Sequence, residues 1–264
     1  MKLTRHEFLA TLGAVAGGSL DALAQTSGTQ KPAQPASGVM RKPPRPRPAG
    51  SEGMLSFAQS GEDLIANFIF HYLQIPRISY LDVGAHEPVA INNTYFFYRR
   101  GYRGVLVEPN VDMCKKLRAV RPKDTTLEAG IGVTAEREAD YYLMTESAWN
   151  TFSKEEAEHM TRVTAGRIKV ERVIKMPLLE INDVMVEHFG GAPTFLSIDA
   201  EGLHLAILKT IDFNKFRPAV ICVETLIAGT NKHIPEIPAF MDTQKYVARG
   251  SSFVNTIFVD GNLI

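Results

Sequence analysis

The chain has 264 residues, 45% of them apolar, and 29 basic residues against 29 acidic ones, enough for one large α/β domain with a tail. Residues 1–50 carry seven Lys/Arg against Glu7 and Asp21, net +5, which leaves 22 basic and 27 acidic residues, net −5, in the remainder. A mildly acidic body argues against a nucleic-acid-binding surface. Two cysteines, Cys114 in a predicted helix and Cys222 in a predicted strand, argue against a structural disulfide or a metal-binding cysteine motif.

Residues 1–24 read as an export signal, with a basic start, a weakly apolar stretch from Leu9 to Leu20, and Ala22-Leu23-Ala24 as a cleavage signal before Gln25. Thr4-Arg5-His6-Glu7-Phe8-Leu9 looks like a twin-arginine motif with His6 in place of the second arginine. Used, the signal sends the protein to a bacterial periplasm; unused, it leaves it in the cytoplasm. Residues 25–53 are rich in Pro, Ala, Ser, Gly and Gln and read as a disordered linker, because they cannot bury enough apolar surface to offset backbone ordering. No segment is long and apolar enough to span a bilayer.

From residue 54 onward the pattern alternates. Phe57 to Leu73 has apolar residues at helical spacing, Ile78 to Val83 reads as a strand, and Asn93 to Arg100 as a short helix. Gly104 to Val107 and Val111 to Val120 repeat the strand and helix, so the sheet is expected to be parallel. Thr126 to Val133 supplies a third strand, Ala139 to Met144 an added one, and Trp149 to Arg167 a polar excursion without clear periodicity. Val170 to Leu178 reads as extended, followed by a helix at Leu179 to Phe189, a strand at Thr194 to Ile198, a helix at Leu203 to Ile211 and a strand at Ala219 to Val223. Tyr246 to Ala248 and Phe253 to Val259 read as paired closing strands.

Ligands of open parallel sheets bind beyond the carboxyl ends of the strands, and here those ends are acidic. The segments are Leu81-Asp82-Val83-Gly84-Ala85-His86-Glu87-Pro88, Val107-Glu108-Pro109-Asn110, Ser197-Ile198-Asp199-Ala200-Glu201-Gly202 and Val223-Glu224-Thr225. With Asn93-Thr94-Tyr95 and the order in which they fall, these segments resemble the FkbM family of S-adenosylmethionine-dependent methyltransferases over about Phe57 to the C-terminus. The resemblance implies a Rossmann-like class I methyltransferase fold: an α/β, mostly parallel seven-stranded sheet with helices on both faces and a C-terminal antiparallel hairpin.

It also implies S-adenosylmethionine as cofactor. Asp82, Gly84, Ala85 and His86 then form the turn that approaches its methionine part, with Asn93 as a further contact. Glu108 accepts the ribose hydroxyls, and Pro109 and Asn110 lie near the adenine. The first loop lacks the second and third glycines of a pyrophosphate-binding loop, which makes a dehydrogenase the poorer reading.

Asp199 is the candidate general base or acceptor-orienting group, and capping the helix that begins near Leu203 is its competing structural role. Glu201 and Glu224 join it as catalytic candidates at the same sheet edge. Three acids there can in principle hold a divalent cation, but carboxylates more often bond loop amides, so no metal site is expected. His86, His204 and His233 are minor candidates, and Trp149 and Phe152 are candidate acceptor-lining aromatics. The implied acceptor is a hydroxyl on a sugar, polysaccharide or small metabolite. A nucleoside-binding scaffold without turnover is the alternative, sharpened by the conflict between an export signal and a cytosolic cofactor. Oligomeric state is not legible.

Overall fold

Tyr80 to Val83 is apolar but for Asp82, too continuous a run for a strand with one wet face. In the computed structural model, which describes residues 53–227 and 230–264, it lies in β1 (Ser79–Val83), the middle of a seven-stranded sheet. The export-signal segment and all but Gly53 of the linker lie outside the described residues.

On one side of β1 run β2 (Arg103–Val107) and then β3 (Thr125–Leu127), all parallel. On the other run β7 (Phe195–Ile198) and β8 (Val220–Glu224), also parallel. The antiparallel β10 (Asn255–Asp260) pairs with β8, and β9 (Tyr246–Ser251) closes the sheet against β10. The order β3-β2-β1-β7-β8-β10-β9 is the mostly parallel α/β arrangement expected, and β1 and β7 are the pair between which the chain reverses direction across the sheet.

Alternation along the strands divides the core into two faces. Tyr80, Leu106, Phe195 and Cys222 pack with Ala66 and Phe70 of α1 (Glu62–Tyr72), Phe97 of α2 (Tyr95–Arg99) and Leu117 of α3 (Val111–Val120). Leu81, Val83, Leu196 and Val223 pack with Val184 and Met185 of α5 (Ile181–Phe189), Leu208 of α6 (His204–Thr210) and Met241 of α7 (Glu236–Thr243). Helix α7 was not expected; its Ile-Pro-Ala-Phe-Met run carries Pro238 within the first turn, where the missing amide costs no helical bond.

One expectation needs correction. The third strand does not run from Thr126 to Val133: after β3 the chain leaves the sheet, and β4 (Gly130–Ile131) pairs instead with β6 (Val170–Leu179). A Cβ on Gly130 would stand 2.5 Å from the Phe152 ring, so glycine lets that aromatic close against the departing chain. The excursion is also ordered. β5 (Glu138–Met144) forms an antiparallel ribbon with β6, and α4 (Lys154–Val163), capped by the Ser153 hydroxyl, packs Ala157 and Met160 with Met144, Trp149 and Ile168. Its apolar stripe is too narrow to stand out from the charged residues around it.

The close approach of β1 and β7 fixes one residue type absolutely. Gly84 has φ +79°, and a Cβ there would lie 1.9 Å from the backbone carbonyl oxygen of Asp199. The Asp199 amide donates to the Val83 carbonyl at 2.9 Å, so the two strands stay bonded up to the residue where they part. Gly84→Ala is expected to destabilise the fold by roughly 2 kcal/mol or more, the sum of left-handed strain and a backbone clash. Urea denaturation checks this, and an unchanged midpoint would show that the strands do not meet in this way.

Candidate active site

The first loop curls around a carboxylate. Gly84 and Ala85 amides donate to the Val107 carbonyl at 2.9 and 3.4 Å, carrying the β1 hydrogen bonding past its last residue. His86 follows in the left-handed region, φ 47°, and its amide donates to Glu108 Oε2 at 2.8 Å. The other Glu108 oxygen accepts the Asn110 amide at 2.7 Å, across Pro109. Asn110 then caps α3, its side chain accepting the Asp112 amide at 3.0 Å. Burial raises the Glu108 pKa to about 7, and the two amides hold it from rising further.

Asp82 lies beneath this loop, buried and bound to the Thr94 hydroxyl at 2.7 Å. Burial raises its pKa, opposed by the charge of Arg121 and by hydrogen bonds from Thr94 and Ser197. Arg121 is fully buried, and it donates to Asn92 Oδ1 at 3.0 Å, Thr94 Oγ1 at 2.9 Å and Asp124 Oδ2 at 2.9 Å. The Tyr80 hydroxyl donates to the same Asp124 carboxylate. Asn92 joins the halves: its amide group donates to the Ala85 and Glu87 carbonyls at 3.0 and 3.1 Å, and its carbonyl oxygen accepts the Thr94 and Tyr95 amides.

The Asn92 side chain therefore bonds the first amides of α2, whose N-cap residue is Thr94. The amide of Asn93 turns instead to the Ser197 hydroxyl, 3.1 Å away.

Across Gly84 lies a second cluster. Asp199, at the end of β7, has a side chain 28% exposed. It does not cap the following helix, whose N-cap is Leu203 without a side-chain bond. His204, the first residue of α6, is buried, with Nε2 3.2 Å from Glu224 Oε2 and 3.8 Å from Asp199 Oδ1. Burial alone would lower the His204 pKa, but the neighbouring carboxylates of Asp199 and Glu224 outweigh it and raise the value to about 10.

Asp199 and Glu224 thus come together as the sequence suggested, with His204 as third member. Glu201 is not in this group; Gly202 follows it at φ +86°, and the Glu201 carbonyl accepts the Thr151 hydroxyl at 2.9 Å. His233 pairs its Nδ1 with the Thr225 hydroxyl at 3.0 Å.

The excursion is tied to both loops, through His86 Nε2 and Ser147 Oγ at 3.2 Å on one side and Thr151 and Glu201 on the other. Trp149 is buried within the excursion's own small core, and Phe152 packs tilted on Tyr141 with centroids 4.6 Å apart.

The Methyltransferase FkbM domain matches residues 82–248, from the carboxylate at the end of β1 to the closing hairpin. The chain belongs to the FkbM family of methyltransferases. Among curated proteins, none matches this chain in sequence. Among solved structures, this FkbM-family chain is similar to a TehB-like SAM-dependent methyltransferase from Corynebacterium glutamicum, at 9% identity over 76% of this chain and 88% of that one, TM-score 0.40. It is also similar to TehB from Haemophilus influenzae, at 9% identity over 74% and 62% of the two chains, TM-score 0.38. A putative O-methyltransferase from Klebsiella pneumoniae has 11% identity over 75% and 79%, TM-score 0.37. No helix among the described residues is long and apolar enough to cross a membrane.

The Arg121 guanidinium is the buried cation that bonds this first-loop network. Arg121→Met is expected to cost about 3–5 kcal/mol, because it leaves Asp124 buried without its counter-charge. Chemical denaturation measures this, and a loss below about 1 kcal/mol would remove Arg121 from the network. Replacing Asp124 as well, with leucine, should restore part of the loss.

Proposed function

We propose that the domain binds S-adenosylmethionine across Gly84 and transfers its methyl group to a hydroxyl of a sugar, polysaccharide or small metabolite. The observation that carries this reading is the position of Glu108. It ends the strand next to β1, its two oxygens are aligned by the His86 and Asn110 amides, and each keeps a lone pair for a ribose hydroxyl. Gly84 and Ala85 then offer backbone to the methionine part, Asn93 adds a contact, and Pro109 and Asn110 flank the adenine. Asp82 acts from below, as a hydrogen-bonded support of the loop.

Methyl transfer is an in-line displacement. The acceptor oxygen attacks the methyl carbon, the carbon–sulfur bond breaks as the carbon–oxygen bond forms, and the sulfonium becomes a neutral thioether. One proton leaves the hydroxyl. Asp199 is the carboxylate to take it, because it follows β7 beside Gly84 and is partly open to solvent. Glu224 sits behind it with His204, and Glu201 remains a candidate contact to the acceptor from the excursion side.

Calorimetry of the full chain with S-adenosylhomocysteine tests the cofactor reading. Binding is expected, with Glu108→Ala weakening it strongly. Ribose hydroxyls donate to an ionised carboxylate, so affinity should fall as pH drops through the Glu108 pKa of about 7. It should be about tenfold weaker at pH 6 than at pH 8, and Glu108→Ala should flatten this dependence. No binding by folded wild-type protein would overturn the assignment.

Asp199→Asn should keep S-adenosylhomocysteine binding but lower methyl transfer by about 10²–10⁴-fold. Transfer is followed with methyl-tritiated cofactor and a panel of methyl glycosides and polysaccharides. Transfer at the wild-type rate would remove Asp199 as base. Binding without turnover on any acceptor would favour the scaffold reading.

A further inference from the structure

Asp199, His204 and Glu224 are brought from the end of β7, the start of α6 and the end of β8 so that one ligand atom from each lies within 4.8 Å of the other two. The imidazole carries the information. It is 3% exposed, and neither Nδ1 nor Nε2 makes a hydrogen bond, although Nε2 is 3.2 Å from one carboxylate oxygen and 3.8 Å from another. Buried polar groups are nearly always hydrogen-bonded, so a histidine close to two carboxylates but aligned with neither calls for a reason.

Metal coordination supplies one. At metal–ligand distances of about 2.0–2.2 Å, neighbouring ligand atoms stand roughly 3–3.5 Å apart, without the alignment that a hydrogen bond demands. The His204–Glu224 separation already has that value, and Asp199 needs a shift of a few tenths of an ångström.

We propose that Asp199, His204 and Glu224 bind a divalent first-row cation. One imidazole with two carboxylates is a mixed nitrogen and oxygen set, suited to Mn²⁺ or Zn²⁺. Three protein ligands leave coordination positions open, as catalytic rather than structural sites do. Asp199, the partly exposed member of the three, lies beside Gly84.

The role of the cation rests on the methyl-transfer reading, although its binding does not. Two neighbouring hydroxyls of an acceptor can fill the open positions together, which selects vicinal diols, as in sugars, over isolated alcohols. The bound hydroxyl becomes more acidic and its oxygen attacks the methyl carbon. The carbon–sulfur bond breaks, and the proton passes to the Asp199 oxygen that is not bound to the cation.

The test uses the full chain, stripped with a chelator and titrated with Mn²⁺ while the paramagnetic signal of free Mn²⁺ is recorded, and with Zn²⁺ by calorimetry. One cation per chain is expected. His204→Asn should weaken Mn²⁺ at least tenfold while thermal melting and S-adenosylhomocysteine binding persist. If that variant fails to fold, Glu224→Gln takes its place. Electron spin echo spectra of the wild-type Mn²⁺ complex should carry nitrogen-14 modulation from an imidazole ligand, with no variant needed. No binding of either ion at millimolar concentration, unchanged affinity in the folded variant, or no nitrogen modulation would overturn the site. Wild-type protein that binds S-adenosylhomocysteine but neither cation removes this inference alone, whereas protein that binds the cation but not S-adenosylhomocysteine removes the cofactor reading alone.

Discussion

A fully buried guanidinium is the constraint on which the first loop depends. Arg121 sits just past α3, yet its side chain reaches beneath the loop that follows β1, where Asp124, Asn92 and Thr94 accept its hydrogen bonds and the rings of Tyr80 and Tyr98 lie 5.5 and 5.4 Å away. A charge so placed must be compensated, and here the compensation also organises the loop. Asn92 can hold the Ala85 and Glu87 carbonyls only while its own oxygen is fixed by Arg121 and the α2 amides. Asp82 accepts the Thr94 hydroxyl, which is itself held by Arg121. The loop shape is thus set from below.

The readable part of this site was the part encoded over short distances. Asp82, Gly84 and Glu108 mark strand ends, and their meaning follows from alternation and from the turn chemistry of glycine. Asn92 and Arg121 gave no such signal. Arginine is ordinarily exposed, and Arg121 beside Pro122 resembles the end of a surface helix. Its first-loop partners Thr94 and Asn92 lie 27 and 29 residues away and become visible only when β1, β2 and α3 are packed. The excursion failed for a different reason: α4 buries just Ala157 and Met160 of its ten residues, so its polarity hid its helical period.

The sheet edge shows the same limit in miniature. Asp199 and Glu224 were legible as strand-end carboxylates, and their proximity follows from the β7–β8 pairing. Which residue joins them depends on how the chain turns after β7. With Gly202 in the left-handed region, Glu201 belongs to the loop beneath the excursion, and His204 begins α6 inside the cluster. Sequence separation alone favoured the glutamate, but turn geometry selects the histidine.

Gly84 divides two electrostatic environments that suit different chemistry. On the β2 side, Glu108 is buried with only neutral amide donors, so its charge is easily lost and its lone pairs are fixed in direction. That environment favours hydroxyl donors over cations. On the β7 side, two carboxylates converge on one imidazole, which concentrates negative charge and favours a cation or a proton. A ligand spanning the glycine therefore meets directional hydrogen-bond acceptors at one end and a negative field at the other. A sulfonium donor next to a hydroxyl that must lose a proton would match that division: bound as proposed, it would turn its positive charge toward the carboxylates and its sugar toward Glu108.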